Sequence, residues 1–481
     1  MGSADAPVSA PPARTPARHR RAPEPASQRP TRRPAPAPKP PTRPGSTRRW
    51  GDIAGATAGL GGGLAVGSAL VVMRPVWATP GGPATVLGTL AAVAGTYLCL
   101  LLLILISRLP WLEREVGHDR MLAWHRRAAP WSLVLIGAHV LFTTVGYSGG
   151  LGSGSLVELW TVVTEYPWMV PAALAFLTMV VLGVISWRPI RRRMSYETWW
   201  VAHLYFYLAV ALAFGHQINT GLLFAPHPQL RAAWIALYVV VAAAVVTWRV
   251  VLPVHLSVRH QLRVSHVVHE APGVVSIYVA GRQLGGLGVA GGQFFQWRFL
   301  TREWWWQAHP YSLSAVPTDD LMRITVKRLG DQSERLARSL LPGTRVIAEG
   351  PYGTFTASAR SSNRVVAFAA GVGITPIRAL LDDIPASADV TVVYRIASLA
   401  KVPLSDELEA LTEACGWRLV YLDGPRAENP ITLNFLTRHV PELASSDIYV
   451  CGPRHFSDAV IAAARRAHVP DDRLHYESFQ F

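Results

Sequence analysis

The sequence predicts a multidomain membrane protein: a bundle of six transmembrane helices, then a soluble half made of an antiparallel β-barrel and an α/β domain. Three observations carry this. Half of the 481 residues are hydrophobic, and six apolar runs fall near 54–73, 85–106, 121–146, 167–187, 199–217 and 231–252. Each is about 20 residues long, enough to cross ~30 Å of hydrocarbon. After residue 255 the long runs stop, and short β-like segments separated by turns take over.

Residues 1–50 precede the first span. They hold eleven Lys and Arg against two Asp and Glu, a surplus of +9 within the net +15, together with thirteen prolines. That composition predicts a disordered, polyproline-like arm whose charge suits anionic lipid. No aromatic residue interleaves the basic ones before Trp50, which argues against nucleic acid as a partner.

Charge orders the spans, which are expected to occupy residues 51–255. Arg108, Arg114, Arg120, Arg126 and Arg127 follow the second run, and "RPIRRR" follows the fourth. The alternate loops, 147–166 and 217–230, contain no Lys or Arg. The positive-inside rule then puts the N-terminus, both basic loops and the C-terminal half in the cytoplasm of a multi-pass cell-membrane protein. The three cysteines, Cys99, Cys415 and Cys451, form no CxxC pair, so neither a disulfide scaffold nor a thiolate metal site is expected.

Four histidines stand inside these runs, His125 and His139 in the third, His203 and His216 in the fifth. Ionisable groups are costly in a bilayer and mark function there. Fourteen residues at 1.5 Å is ~21 Å with a rotation of about 40°, so His125 and His139 share a helix face, one at each membrane side. Thirteen residues leave about 140° between His203 and His216, which predicts local rewinding near Gly215. Both spans run inside to outside. His125 therefore meets His203 and His139 meets His216, two levels of facing imidazoles suited to two bis-histidine haems.

In the soluble half, "GGQFFQWRFL" reads as a strand and precedes "HPYSLS" at 309–314. "MRITVKRLGDQSERLARSLL" is a strand, a turn at Gly330 and a helix opening near Ser333, whose amides suit an anion. "EGPYGTF" at 349–355 reads as a turn closing a barrel. "RVVAFAAGVGITPIRALL" is a buried strand, a Gly-rich turn and a helix; Gly371 and Gly373 would let a pyrophosphate approach the helix N-terminus. "DIYVCGPRHF" at 447–456 is a second strand ending in a Gly-Pro turn, and the chain stops at "LHYESFQF". After the strand "VTVVY" come Arg395, Ser398 and Lys401, with no Asp or Glu between Val392 and Lys401. That favours a 2′-phosphate, hence NADPH over NADH.

In order and spacing these segments resemble the ferric reductase and NADPH oxidase superfamily, in a bacterial-type form without EF-hands, from about residue 54 to the C-terminus. The resemblance implies a ferric-reductase-like haem bundle, an antiparallel β-barrel FAD domain at 256–358 and an α/β Rossmann-like NAD(P)-binding domain at 359–481. It implies that His125, His139, His203 and His216 ligate haem iron. His309, Pro310, Tyr311, Ser312, Leu313 and Ser314 match the flavin motif, which opens here with His rather than Arg. Lys327, Gly330 and Ser333 match the flavin-phosphate side. Gly371, Gly373, Thr375, Pro376 and Arg395 match the nucleotide site, and Cys451, Gly452 and Pro453 the wall beside the nicotinamide. Phe481 matches the aromatic that shields the flavin. Ser312, Cys451 and Phe481 would stand at hydride transfer.

The implied enzyme is an NAD(P)H-dependent ferric reductase or NADPH oxidase-like oxidoreductase with FAD and two b-type haems. It would deliver electrons to ferric iron or oxygen outside. The competing expectation is a haem electron donor to a periplasmic partner protein, although no feature of the sequence identifies one.

Overall fold

The computed structural model describes residues 45–149, 153–327, 340–396, 402–424, 431–440 and 442–478. Most of the basic arm therefore lies outside the described residues, as do Gly330, Ser333, Ser398, Lys401 and Phe481.

Among the described residues, ten helices build the membrane half: α1 (Gly45–Met73), α2 (Gly82–Ile106), α3 (Pro110–Val116), α4 (His118–Ser148), α5 (Ser153–Glu165), α6 (Met169–Ser186), α7 (Arg188–Arg191), α8 (Tyr196–Asn219), α9 (Pro228–Val246) and α10 (Leu252–Arg259). Among the described residues, six stretches are long and apolar enough to cross a membrane: 51–78, 82–106, 120–148, 169–186, 198–219 and 228–259. α1 opens at Gly45, inside the segment expected to be an arm.

Glycine-rich α1 is helical because a lipid-exposed backbone must satisfy its own hydrogen bonds. Its small residues admit a neighbour closely. A Cβ on Gly61 would meet the Tyr97 hydroxyl, which donates to Ala58 O at 2.9 Å. α2 packs along α4 in the same manner, with Gly95 against Leu135 and Ile136. The last span is continuous from Pro228 to Arg259 but widens into a π-helical turn at Thr247–Val251. Pro253 is the cause: it has no N–H to give, and its ring crowds the carbonyl four residues back.

The soluble half opens with β1 (Arg263–Ala271), β2 (Val274–Ala280), β3 (Phe294–Phe299), β4 (His309–Ala315), β5 (Leu321–Lys327) and β6 (Val346–Tyr352). They form one antiparallel sheet in the order β1-β2-β5-β4-β3-β6. Its two ends meet where Val346 N donates to Leu262 O at 3.0 Å and Val264 N to Thr344 O at 2.8 Å, closing the barrel. Alternation along β3 sends Phe295, Trp297 and Phe299 into the core with Ile277, Leu313 and Ile324.

One expectation is corrected here. Glu349–Tyr352 is not a turn but the end of strand β6, paired with β3, with Gly350 and Pro351 in a bulge between the Glu349–Gln296 and Tyr352–Phe294 pairs. A terminal strand tolerates a proline at a bulge because no ladder bond is lost there.

The last domain is a parallel sheet of β7 (Arg364–Ala370), β8 (Asp389–Arg395), β9 (Arg418–Leu422), β10 (Asp447–Gly452) and β11 (Leu474–Ser478) in the order β11-β10-β7-β8-β9. Helices α11 (Ile374–Asp383), α12 (Ser405–Cys415), α13 (Leu433–His439) and α14 (Arg454–Arg466) connect the strands. The nearly continuous apolar runs of β7 and β10 follow from burial on both faces.

Candidate functional site

Of the membrane histidines, His125 and His203 come together across two helices. His125 of α4 and His203 of α8 have ring centroids 6.3 Å apart. His139 and His216 lie further along the same two helices, 14 and 13 residues on. α8 is α-helical through Gly215, so the expected rewinding is absent; the Trp168 ring instead packs over that glycine. Each ring of α4 is oriented by a backbone carbonyl of α2. His125 Nδ1 lies 3.3 Å from Leu102 O, and His139 Nδ1 lies 3.0 Å from Gly88 O and 3.2 Å from Thr143 Oγ1. An Nδ1–H donated to a carbonyl fixes the tautomer that leaves Nε2 for a metal. His203 Nδ1 is 3.5 Å from the Ser186 hydroxyl, to which Trp199 Nε1 also donates. This donor set, imidazoles of two neighbouring helices with Nδ1 of His125 and His139 held by carbonyls and, among the described residues, no cluster of three metal-ligating side chains to compete, fits bis-histidine haem iron.

The second centre is the barrel strand β4. His309 and Tyr311 point to one side with rings nearly parallel, 9° apart, at 5.8 Å. Burial pushes the Tyr311 phenol above its usual range, so it stays protonated. Ser312 is buried, and its hydroxyl has no hydrogen-bond partner among the described residues. A buried hydroxyl left unmade costs roughly 1–3 kcal/mol, so this one suits a polar atom of a bound flavin. Leu313 lies in the barrel core, and the Ser314 hydroxyl accepts from Arg323 Nε at 3.0 Å and from Thr325 at 2.8 Å. Both side chains are therefore committed to holding the strand. Pro310 and Lys327 are exposed at the strand ends.

The third centre lies at the C-terminal ends of the parallel strands. β7 lies between β8 and β10 with connections leaving on opposite sides, and ligands bind at such a switch point. Gly371 takes φ +56° and leads a short turn into α11, and Tyr394 donates to its carbonyl at 3.1 Å. Gly373 lies directly on β10: a Cβ there would fall 2.2 Å from Cys451 O. Thr375 and Pro376 are buried in the first turn of α11, the Thr375 hydroxyl donating to Val372 O at 2.9 Å. A cavity of about 170 Å³ at this edge is lined by Ala370, Arg395, Pro453 and Phe456, among others. Cys451 is fully buried beneath the turn, with its thiol held neutral by burial, and Gly452 packs on Ala370.

Sequence reading missed the residues that join these centres. Arg323 of β5 forms a two-pronged pair with Glu407 of α12, Nη2 to Oε2 at 2.8 Å, and Arg378 of α11 stands 3.4 Å from the same carboxylate. The partners are 84 residues apart, and only the fold brings them together.

Known proteins match the chain in three consecutive blocks. Residues 91–214 match the family of ferric-reductase-like transmembrane components, 274–356 an FAD-binding domain and 368–461 an oxidoreductase NAD-binding domain. The ferredoxin reductase component of 3-ketosteroid-9-alpha-monooxygenase from Rhodococcus rhodochrous is 30% identical over 194 residues, 39% of this chain and 55% of that protein. A flavohemoprotein of Deinococcus radiodurans is 29% identical over 191 residues, 36% of this chain and 47% of that protein. The chain spans about half the length of these curated relatives. Among solved structures, the FAD/NAD-binding domain of nitric oxide dioxygenase from Vibrio cholerae matches at 24% identity and a TM-score of 0.38, over 45% of this chain and 97% of that one.

Proposed function

Because this chain belongs to the ferric reductase and NADPH oxidase superfamily, we propose that it is a transmembrane oxidoreductase carrying electrons from cytoplasmic NAD(P)H to an acceptor outside. The observation that carries this is the pair of histidine levels in α4 and α8, with α4 Nδ1 atoms fixed by α2 carbonyls, in one chain with flavin and nucleotide domains. His125 with His203 would hold an inner b-type haem, and His139 with His216 an outer one. FAD bound there would supply the exchange of a hydride for single electrons, and haems held by the histidine pairs would supply one-electron carriers between the two sides. The protein's own part is to fix positions and exclude water. Tyr311 would pack on the flavin and Ser312 bond to it. Gly371 and the α11 N-terminus would take the dinucleotide, and Phe481 would cover the flavin until nicotinamide arrives.

Ferric iron and oxygen both suit the outer side as acceptors. The purified protein in liposomes, given NADPH on the face that carries the soluble half and ferric chelate or oxygen on the other, tests the reading. NADPH oxidation coupled to ferrous iron formation, or to oxygen consumption with superoxide formation, supports it; haem that stays oxidised under NADPH refutes it. Activity seen only with a co-purifying protein would favour the donor-to-partner reading.

A further inference from the structure

Electron transfer between a barrel and a helix bundle requires that the two stay docked. Glu349 of β6, 1% exposed, sits where they meet. Arg249, from the π turn of the last span, donates to its Oε1 at 2.5 Å, and the Tyr352 hydroxyl to the same oxygen at 2.9 Å. Arg298 of β3 stands 4.0 Å from Oε2, and Arg108, from the turn after α2, 4.0 Å from Oε1. Arg108 takes φ +64°, an unusual backbone for a non-glycine residue, and its guanidinium lies 4.2 Å over the Tyr352 ring. Glu113 of α3 stands 3.5 Å from Arg108. One residue before Glu349, Ala348 N donates to Ser257 Oγ of α10 at 3.0 Å.

The membrane half thus supplies Arg108, Arg249 and Ser257, and the barrel supplies one carboxylate to receive both cations. The connection reaches the flavin strand by two ladders. Glu349 pairs with Gln296 on β3, and β3 pairs Phe294 with Ser312 on β4. We propose that Glu349 is the positioning residue that docks the flavin barrel on the cytoplasmic end of the bundle, so that it governs flavin-to-haem transfer and not hydride transfer. The inference rests on the function proposed above. Its physical basis is that removing one partner of a buried ion pair strands the other charge in a low dielectric, which opens the contact to water. Electron tunnelling then falls steeply with the added distance, whereas the nicotinamide and flavin sites stay within the soluble half.

The test uses the full-length protein loaded with haem and FAD, wild type and Glu349→Gln, mixed anaerobically with NADPH. Flavin and haem absorbance are followed separately. Flavin reduction should stay within about twofold of wild type while haem reduction slows about tenfold or more. Arg249→Gln should show the same split, and the double variant should be no slower than either single one, because the two act as one contact. Unchanged haem reduction in Glu349→Gln, equal slowing of both steps, or additive slowing in the double variant overturns the proposal. Hydrogen exchange supplies a second readout. Amides of 247–259 and 346–352 should exchange faster in Glu349→Gln and those of β8 should not; unchanged exchange at the junction also overturns it. If Glu349→Gln loses FAD, Tyr352→Phe, which deletes one bond to the same oxygen, must show the same split in smaller measure. A wild-type protein whose haem NADPH cannot reduce would refute the proposed function, while the exchange experiment would still decide the docking.

Discussion

Two glycines of the turn after β7 separate binding from folding. A Cβ on Gly373 would lie 2.2 Å from Cys451 O, 2.6 Å from its carbonyl carbon and 2.9 Å from Gly452 N. These are backbone atoms of β10, which is paired on both sides by β7 and β11 and cannot retreat. Gly373→Ala must push turn and strand apart by about 1 Å, an overpacking cost on the order of 3 kcal/mol. At Gly371 a Cβ meets no heavy atom within 4 Å, and only the left-handed φ of +56° is penalised, at roughly 1–2 kcal/mol. The added methyl would, however, stand at the strand ends, where the dinucleotide reaches the α11 N-terminus. Gly371→Ala should therefore raise the Kd for NADPH about tenfold, equivalent to ~1.4 kcal/mol, with a small loss of stability. Gly373→Ala should chiefly lower stability. The assay is NADPH titration alongside thermal melting of the loaded protein. Wild-type NADPH affinity in Gly371→Ala, or wild-type melting in Gly373→Ala, would refute the reasoning.

The other predictions address the remaining centres. His139→Ala combined with His216→Ala should leave one haem of two, read by pyridine haemochrome assay; an undiminished haem content excludes the outer pair as ligands. Ser312→Ala should weaken FAD retention or slow its reduction, and a variant equal to wild type in flavin content and reduction rate removes Ser312 from the site. NADPH should exceed NADH in kcat/KM, given Arg395 at the end of β8 and no Asp or Glu between Val392 and Lys401; a clear NADH preference contradicts this. Burial lifts the Glu113 carboxyl from 4.5 to about 7 despite the neighbouring Arg108. Across that interval the folded protein keeps a proton that the unfolded chain releases, so the group's stability contribution is greatest below pH 4.5 and falls until pH 7. At ~1.4 kcal/mol per pH unit the loss is on the order of 3 kcal/mol. Glu113→Gln should flatten this part of the melting-temperature profile, and an unaltered slope between pH 4.5 and 7 would show that Glu113 is not its source.

The sequence by itself determined the six spans, because a run of 20 apolar residues has one low-energy solution in lipid. It also placed β3, β5, β7 and β10, whose alternating or continuous apolar patterns are local signals, and the glycine turn into α11. The meeting of His125 with His203 was legible because helix rise is fixed, although the 13-residue spacing misled: the rewinding expected at Gly215 is not there, and Trp168 packs on it instead. Residues 349–352 were misread because Gly-Pro looks locally like a turn, and only pairing with β3 makes them strand. The contacts that join the parts were decided by tertiary structure alone. Arg249 and Glu349 are 100 residues apart, and Arg323 and Glu407 are 84 apart. Neither pair leaves a local pattern, since a charge in sequence carries no record of which distant charge will neutralise it once both leave water.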